Sequence, residues 1–449
     1  MANQFPGKAS AATVVQTIGS RFAIIGLNAV TGILTARLLA PEGRGELAAI
    51  GIWPGLVAAL TTLGLPTALI YHGRREPSRL GRLTASALAL SAIASLVGTA
   101  IAWALVPSWL RHHPPEVILA TRLCLYSTVL SSMTLVSRAA CEARGDFRSS
   151  NFTQMAAPVV TIVGLIGLAL TGHLTPVTAA FAYVSATVPV LIWLLAALRA
   201  HHPLALVGLR ANWRQLLQYG ARSYGMDLFG ALSLYLDQAL VVGLLPPAAM
   251  GIYAVALSLA RIISAVHFGT ATLMMPAVVG YPTDMLTAAI ARSARMATVV
   301  GTVIGLAIVA TGPVLVGLVY GSAYAAVGSL LPILVLDTII SGATWVLMQG
   351  VLAAGRPGIV TTTQFAALAL SVPLFLVLVP AAGPRGAAMA MVTVSIVRLG
   401  MVLASYRLWL GAPLPRIWLE RTDLADIVGR VSSLLRTGPA AWLRSGAAE

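Results

Sequence analysis

The sequence predicts an all-α polytopic membrane protein: about twelve transmembrane helices in two six-helix lobes related by a parallel internal repeat. Three observations lead there. Of the 449 residues, 58% are hydrophobic and only 10% charged, with a mean hydropathy of +0.87. An ordinary soluble domain is about 45–50% apolar and about 25% charged. So little charge cannot cover a soluble body of this size, which argues against a soluble enzyme, a secreted disulfide scaffold or a disordered chain. The second observation is a series of apolar stretches that each reach the roughly 20 residues a membrane span needs. The third is a pair of short repeated segments at nearly constant offset.

The expected spans are 14–36, 46–71, 83–106, 117–139, 153–171, 177–198, 217–243, 250–279, 288–318, 326–352, 359–380 and 386–410. No stretch alternates with period two, which disfavours a β-barrel. The start, MANQFPGKASAA, runs into an apolar stretch that holds Arg21 and ends in no small-residue cleavage site; it reads as a retained first span. Alternate loops carry Arg74, Arg75, Arg79 and Arg82, then Arg138, Arg144 and Arg148, then Arg199, Arg210 and Arg214, and later Arg292, Arg295, Arg356 and Arg407. The intervening loops carry Arg37, Arg44, Arg111 and Arg385. By the positive-inside rule this gives an even number of spans with both termini cytoplasmic. It also accounts for most of the net charge of +15 without a nucleic-acid partner. Only one of the 29 basic residues is lysine, Lys8.

LLAPEGRGELAA at 38–49 matches LLPPAAMGIYAV at 244–255 in two Leu, one Pro, one Gly and one Ala, at an offset of 206. ARGDFRSSNFTQ at 143–154 matches AAGRPGIVTTTQ at 353–364 in Ala, Gly, Thr and Gln, at an offset of 210. Two six-span halves follow: a lobe over 1–198, a basic cytoplasmic linker over 199–215, and a lobe over 216–410. Parallel halves place a substrate site at their interface near mid-membrane. Residues 411–449 read as an amphipathic cytoplasmic tail, with Ile417, Leu424, Val428, Val431 and Leu435 at helical spacing.

A charge inside a span is costly, so it faces a partner or a wet cavity. At about 1.5 Å rise per residue, Arg261, Arg398, Asp227 and Asp337 fall near the midplane. Arg21 lies in the cytoplasmic half of span 1, and Asp237 toward the outer end of span 7. These residues either neutralise one another as buried pairs or line a cationic cavity for an anionic headgroup. Guanidinium forks match phosphate bidentately and keep their charge when partly desolvated. Asp227, Asp237 or Asp337 beside an Arg would alternatively serve proton or sodium coupling. Cys124 and Cys141 have neither disulfide nor metal-ligand spacing and read as packing residues. His112, His113, His201 and His202 read as solvated loop residues. There is no P-loop, so ATP is not the direct energy source, and no cofactor site or catalytic constellation is visible.

ARLLAPEGRGELAAI at 36–50 with LGLPTALIY at 63–71 resembles the first hairpin of polysaccharide-type flippases. YGARSYGMDLFGALSLYLDQALVVGLLPPAAMGIYAVALSLARII at 219–263 is similar to their seventh and eighth spans, and LMQGVLAAGRP at 347–357 to their tenth. The chain thus resembles the multidrug/oligosaccharidyl-lipid/polysaccharide exporter superfamily over about residues 10–410. The resemblance implies two six-helix lobes around a central cavity. It also implies transport, rather than catalysis, of an oligosaccharide on polyprenyl pyrophosphate from the inner to the outer leaflet, with a glycan polymerase or glycosyltransferases as partners. In the related lipid II flippases Arg residues on spans 1 and 8 line the cavity, which implies that role for Arg21 and Arg261. The alternatives are a cation-coupled multidrug exporter on the same fold and a non-transporting scaffold for glycan assembly.

Overall fold

The computed structural model describes residues 11–111, 113–200 and 204–416, some of them, including 11–22, by backbone alone. The expected tail over 417–449, His112, His201 and His202 lie outside the described residues. The described residues are almost wholly helical and contain no strand.

Among the described residues, nine helical runs are long and apolar enough to cross a membrane. Two of them are double. Ala11–Leu60 breaks at Ala40 (φ 58°, ψ 176°), giving spans 1 and 2, and Pro357–Leu408 breaks at Gly383 (φ 58°, ψ −136°), giving spans 11 and 12. With Leu209–Leu244 as span 7, the described residues make twelve spans. Span 3 is Leu80–Trp109 and span 5 is Phe147–Leu170. Span 4 joins Pro115–Cys124 to Ser127–Arg144, and span 6 joins Pro176–Ser185 to Thr187–Arg199. Span 8 joins Pro247–Ala260 to Ser264–Val278 through one 3₁₀ turn, Arg261–Ile263. Spans 9 and 10 are Thr283–Val319 and Val327–Ala353. Their outer faces are apolar and exposed, as at Val303, Leu306 and Val314 on span 9, which suits contact with lipid tails.

Besides the start of span 2, at Pro41 rather than at 46, sequence expectation and structure differ at two places. The run expected as span 2, 46–71, stops at Leu60 and resumes as a short helix, Leu65–Arg75, because Leu63 and Gly64 both take positive φ. His113 is buried rather than solvated, with Nε2 3.3 Å from the Val242 carbonyl. It tethers the loop before span 4 to span 7, next to Trp109, whose indole donates to the Ala239 carbonyl at 2.9 Å. Cys124 and Cys141 are both buried and free.

The repeat is visible in the backbone. Span 4 ends with Asp146 N–H donating to the Cys141 carbonyl and Gly145 N–H to Glu142. Span 10 ends with Arg356 donating to Val351 and Gly355 to Leu352, the same pair of bonds 210 residues on. Both glycines take positive φ, as this helix cap requires. The 206-residue offset does more, because its two copies touch. A side chain on Gly45 would collide with the Pro247 carbonyl, and one on Gly251 with the Pro41 carbonyl. Each glycine therefore turns its Cα–H toward a carbonyl of the opposite copy, a weak contact that recurs where helix backbones meet closely. The two lobes cross here about a local pseudo-twofold axis on the Arg-poor side. On the linker side they meet again where Gly64 faces the Gly220 carbonyl. Beyond that contact, the Tyr71 and Tyr219 rings stack at 4.2 Å.

Two outcomes follow from this packing. Gly45→Val or Gly251→Val overpacks the crossing at a cost of about 1–3 kcal/mol and should hold the two turns apart. Nitroxides at Glu42 and Ala248, both exposed, should then lie further apart by double electron–electron resonance; an unchanged distance in both variants would show that the crossing tolerates side chains. The second concerns His72, whose Nδ1 accepts from the Gln215 amide at 3.0 Å. Burial holds the His72 pKa below its usual value. The native state thus favours the neutral ring, and stability falls as pH drops through about 6.5, where the unfolded chain starts to take up the proton. Thermal unfolding of His72→Phe in detergent should lack that component of the decline between pH 8 and pH 5.

Candidate functional site

Span 8 is a regular helix as far as Ala260 and then tightens into the 3₁₀ turn that begins at Arg261. A mid-helix 3₁₀ turn often marks a functional hinge. Here it presents Arg261, an exposed side chain, to two cavities at once.

The larger cavity, about 690 Å³, lies between the lobes. Asn28 of span 1, Arg44 of span 2, Ser127 and Ser131 of span 4, Gln238 of span 7 and Arg261 all line it. Its described lining holds two guanidinium groups and no carboxylate. Arg44 Nε is buried without a hydrogen-bond partner. Such a chamber concentrates anions, because few counter-charges oppose the field of the two arginines.

The smaller cavity, about 470 Å³, lies within the C-terminal half and shares Leu257 and Arg261 with the first. It contains Asp237 of span 7, Asp337 of span 10 and Arg398 of span 12. Asp337 is buried and accepts a 2.6 Å hydrogen bond from the Ser395 hydroxyl. Ser395 stands one helical turn before Arg398 on the same face of span 12. Ser371 of span 11 lies near Asp237, with its hydroxyl donating to the Leu368 carbonyl at 3.0 Å. Both carboxylates lie within electrostatic reach of both arginines, yet no bridge joins either carboxylate to either guanidinium among the described residues. The four charges therefore face one another across open space rather than closing as ion pairs.

Of the sequence-derived site residues, the structure brings together Arg261, Arg398, Asp237 and Asp337. The side chains of Arg21, on span 1, and Asp227, on span 7, lie outside the described residues. Sequence reasoning missed Arg44, expected in a loop, because span 2 starts at Pro41 rather than at 46. It also missed His267 and Gln364, both buried on the smaller cavity. Gln364 did leave a signal, since it is one of the four identities of the second repeat pair.

Comparison with known proteins fits this arrangement. A family model described as polysaccharide biosynthesis protein matches residues 34–328. No curated protein matches in sequence. Among solved structures the chain is similar to the lipid II flippase MurJ in an inward closed conformation, with TM-score 0.73 and 11% identity over 89% of this chain and 88% of that one. It is also similar to an inward-facing multidrug resistance MATE family transporter of the MOP superfamily, with TM-score 0.68 and 17% identity over 86% and 94%. A third similar structure is a MOP superfamily transporter from Pyrococcus furiosus, described by the reverse polarity of its binding pocket, with TM-score 0.54 and 16% identity over 89% and 95%. At these identities the likeness establishes the fold, and the family match establishes kinship: the chain is a multi-pass membrane protein that belongs to the polysaccharide biosynthesis protein family and has the fold of the MOP-superfamily transporters.

Proposed function

We propose that the protein is a flippase that moves a polyprenyl-pyrophosphate-linked oligosaccharide from the cytoplasmic to the outer leaflet of a bacterial cytoplasmic membrane, by alternating access. The observation that carries this reading is the central cavity itself, between the lobes, lined by two arginines and no described carboxylate. A pyrophosphate presents several oxygens to guanidinium forks, which bind it bidentately. Arg261 takes the central role, with Arg44 in the same cavity and Arg21 supplied from span 1. Arg398, behind Arg261, adds to the potential. The N-terminal lobe 1–198 and the C-terminal lobe 216–410 rock about the linker 199–215, with both termini cytoplasmic. Direction comes from consumption of the glycan on the far side by a polymerase or glycosyltransferase, or from a proton or sodium gradient acting on Asp237 or Asp337.

Those two carboxylates in the smaller cavity favour one second reading, a cation-coupled drug exporter of the same fold. Proteoliposomes separate the two. A fluorescent polyprenyl-pyrophosphate oligosaccharide should cross in the wild type. Arg261→Ala should slow it at least about tenfold, the equivalent of ~1.4 kcal/mol. Arg44→Ala should slow it less, and Arg261→Lys should restore part of the rate, because a point charge replaces a fork. Movement of organic cations but of no lipid-linked glycan would replace the flippase reading with the exporter.

A further inference from the structure

Buried polar atoms without partners are rare in folded chains, and each is costly unless something completes it. In this protein several gather at one place. Both ring nitrogens of His267, Oε1 of Gln364 and Nε of Arg398 are buried without a hydrogen-bond partner, and all three side chains line the 470 Å³ cavity of the C-terminal half. His267 is 1% exposed and Gln364 4%. The imidazole sits in a slot that span 9 opens at Gly301 and span 10 at Gly342, where any side chain would meet the ring. The backbone is thus shaped to hold an imidazole at this wall, with the Ile263 backbone one turn back beside the ring.

The chemistry of the lining narrows what completes it. Arg261 and Arg398 are balanced by Asp237 and Asp337, so the chamber is formally neutral. It therefore carries no net charge to draw an anion, which sets it apart from the central cavity. The open groups are mixed: acceptors on Gln364 and the two carboxylates, a donor on Arg398, and one of each on a neutral imidazole. Groups that donate and accept at once, as hydroxyls do, suit such a lining. The volume is many times the roughly 30 Å³ of one water and lies within the ~300–1,000 Å³ of small-molecule sites. Trp345 and Phe375 add flat apolar walls to the same chamber.

We propose that this cavity is a sugar subsite, which takes the sugar ring bonded directly to the pyrophosphate. The proposal rests on the flippase reading, since the pyrophosphate must sit at Arg261. Arg261 and Leu257 belong to both cavities, so a ring in the smaller chamber and a phosphate in the larger meet the same guanidinium. Imidazole, carboxamide and carboxylate groups read the ring hydroxyls, while Trp345 and Phe375 cover its C–H face. The substrate is thereby divided by chemistry: charge in the central cavity, neutral polyol in the side chamber.

The test measures binding to protein in nanodiscs. The probes are bare polyprenyl pyrophosphate and the same carrier bearing a single glucose, galactose, N-acetylglucosamine or N-acetylgalactosamine. At least one sugar should tighten binding to the wild type tenfold or more over the bare carrier. Gln364→Leu and His267→Phe should bring that ratio close to one and leave the affinity for the bare carrier unchanged, which also shows that the variants are folded. Gln364→Glu, which keeps an acceptor, should retain part of the ratio. The subsite is overturned if no sugar improves on the bare carrier, or if the ratio survives in both Gln364→Leu and His267→Phe. Failure of the wild type to bind the bare carrier at all would sink the flippase reading, and the subsite with it.

Discussion

The separation of the two lobes is set where backbone meets backbone, at the crossing of Gly45 over Pro247 and Gly251 over Pro41. In a bilayer, lipid tails are as apolar as leucine, so helices gain little from burying apolar surface against each other. Association depends on how closely they approach. Two absent side chains give that approach here. The placement of the charges follows from it. Arg44 directly precedes Gly45, so the crossing carries it into the central cavity. Arg261 lies ten residues beyond Gly251, roughly 15 Å along the helix, deeper in the same chamber. One contact thereby positions one guanidinium beside the crossing and another roughly 15 Å further along span 8.

The charges within the membrane are distributed, not merely tolerated. Two arginines with no described carboxylate give the central cavity its sign, while two arginines and two aspartates leave the smaller one neutral. Closing each Asp onto an Arg would be the cheap arrangement for ions in a low dielectric. Asp337 instead accepts a hydrogen bond from Ser395. That bond holds the Asp337 carboxylate in place and leaves the guanidinium groups free to turn toward the cavity.

The parts of this fold that the sequence reveals are those written twice. The 206-residue offset is the crossing itself, and the 210-residue offset is a pair of identical helix caps, so both repeats correspond to specific backbone bonds and contacts. Hydropathy locates the spans because each must be apolar over its whole length. It misplaces the start of span 2, since Glu42, Arg44 and Glu46 make the first turn look like a loop, and it hides Arg44 with it. It cannot say which cavity Arg398 faces, because that depends on the rotation of span 12 about its axis. His267 was invisible for another reason: one histidine on an apolar helix has no period, and its slot is cut by glycines 34 and 75 residues further along the chain. His113 was misread because its partner, the Val242 carbonyl, is a backbone atom of another span.

Arg261 forms part of the wall of both cavities and sits on a turn where the helix has already given up its regular hydrogen bonding. Occupants of the two chambers therefore share one guanidinium and cannot bind as independent ligands. Whatever factor one occupant applies to the affinity of the other, the second applies to the first, because thermodynamic linkage is reciprocal. A single side chain makes the two compartments one coupled unit.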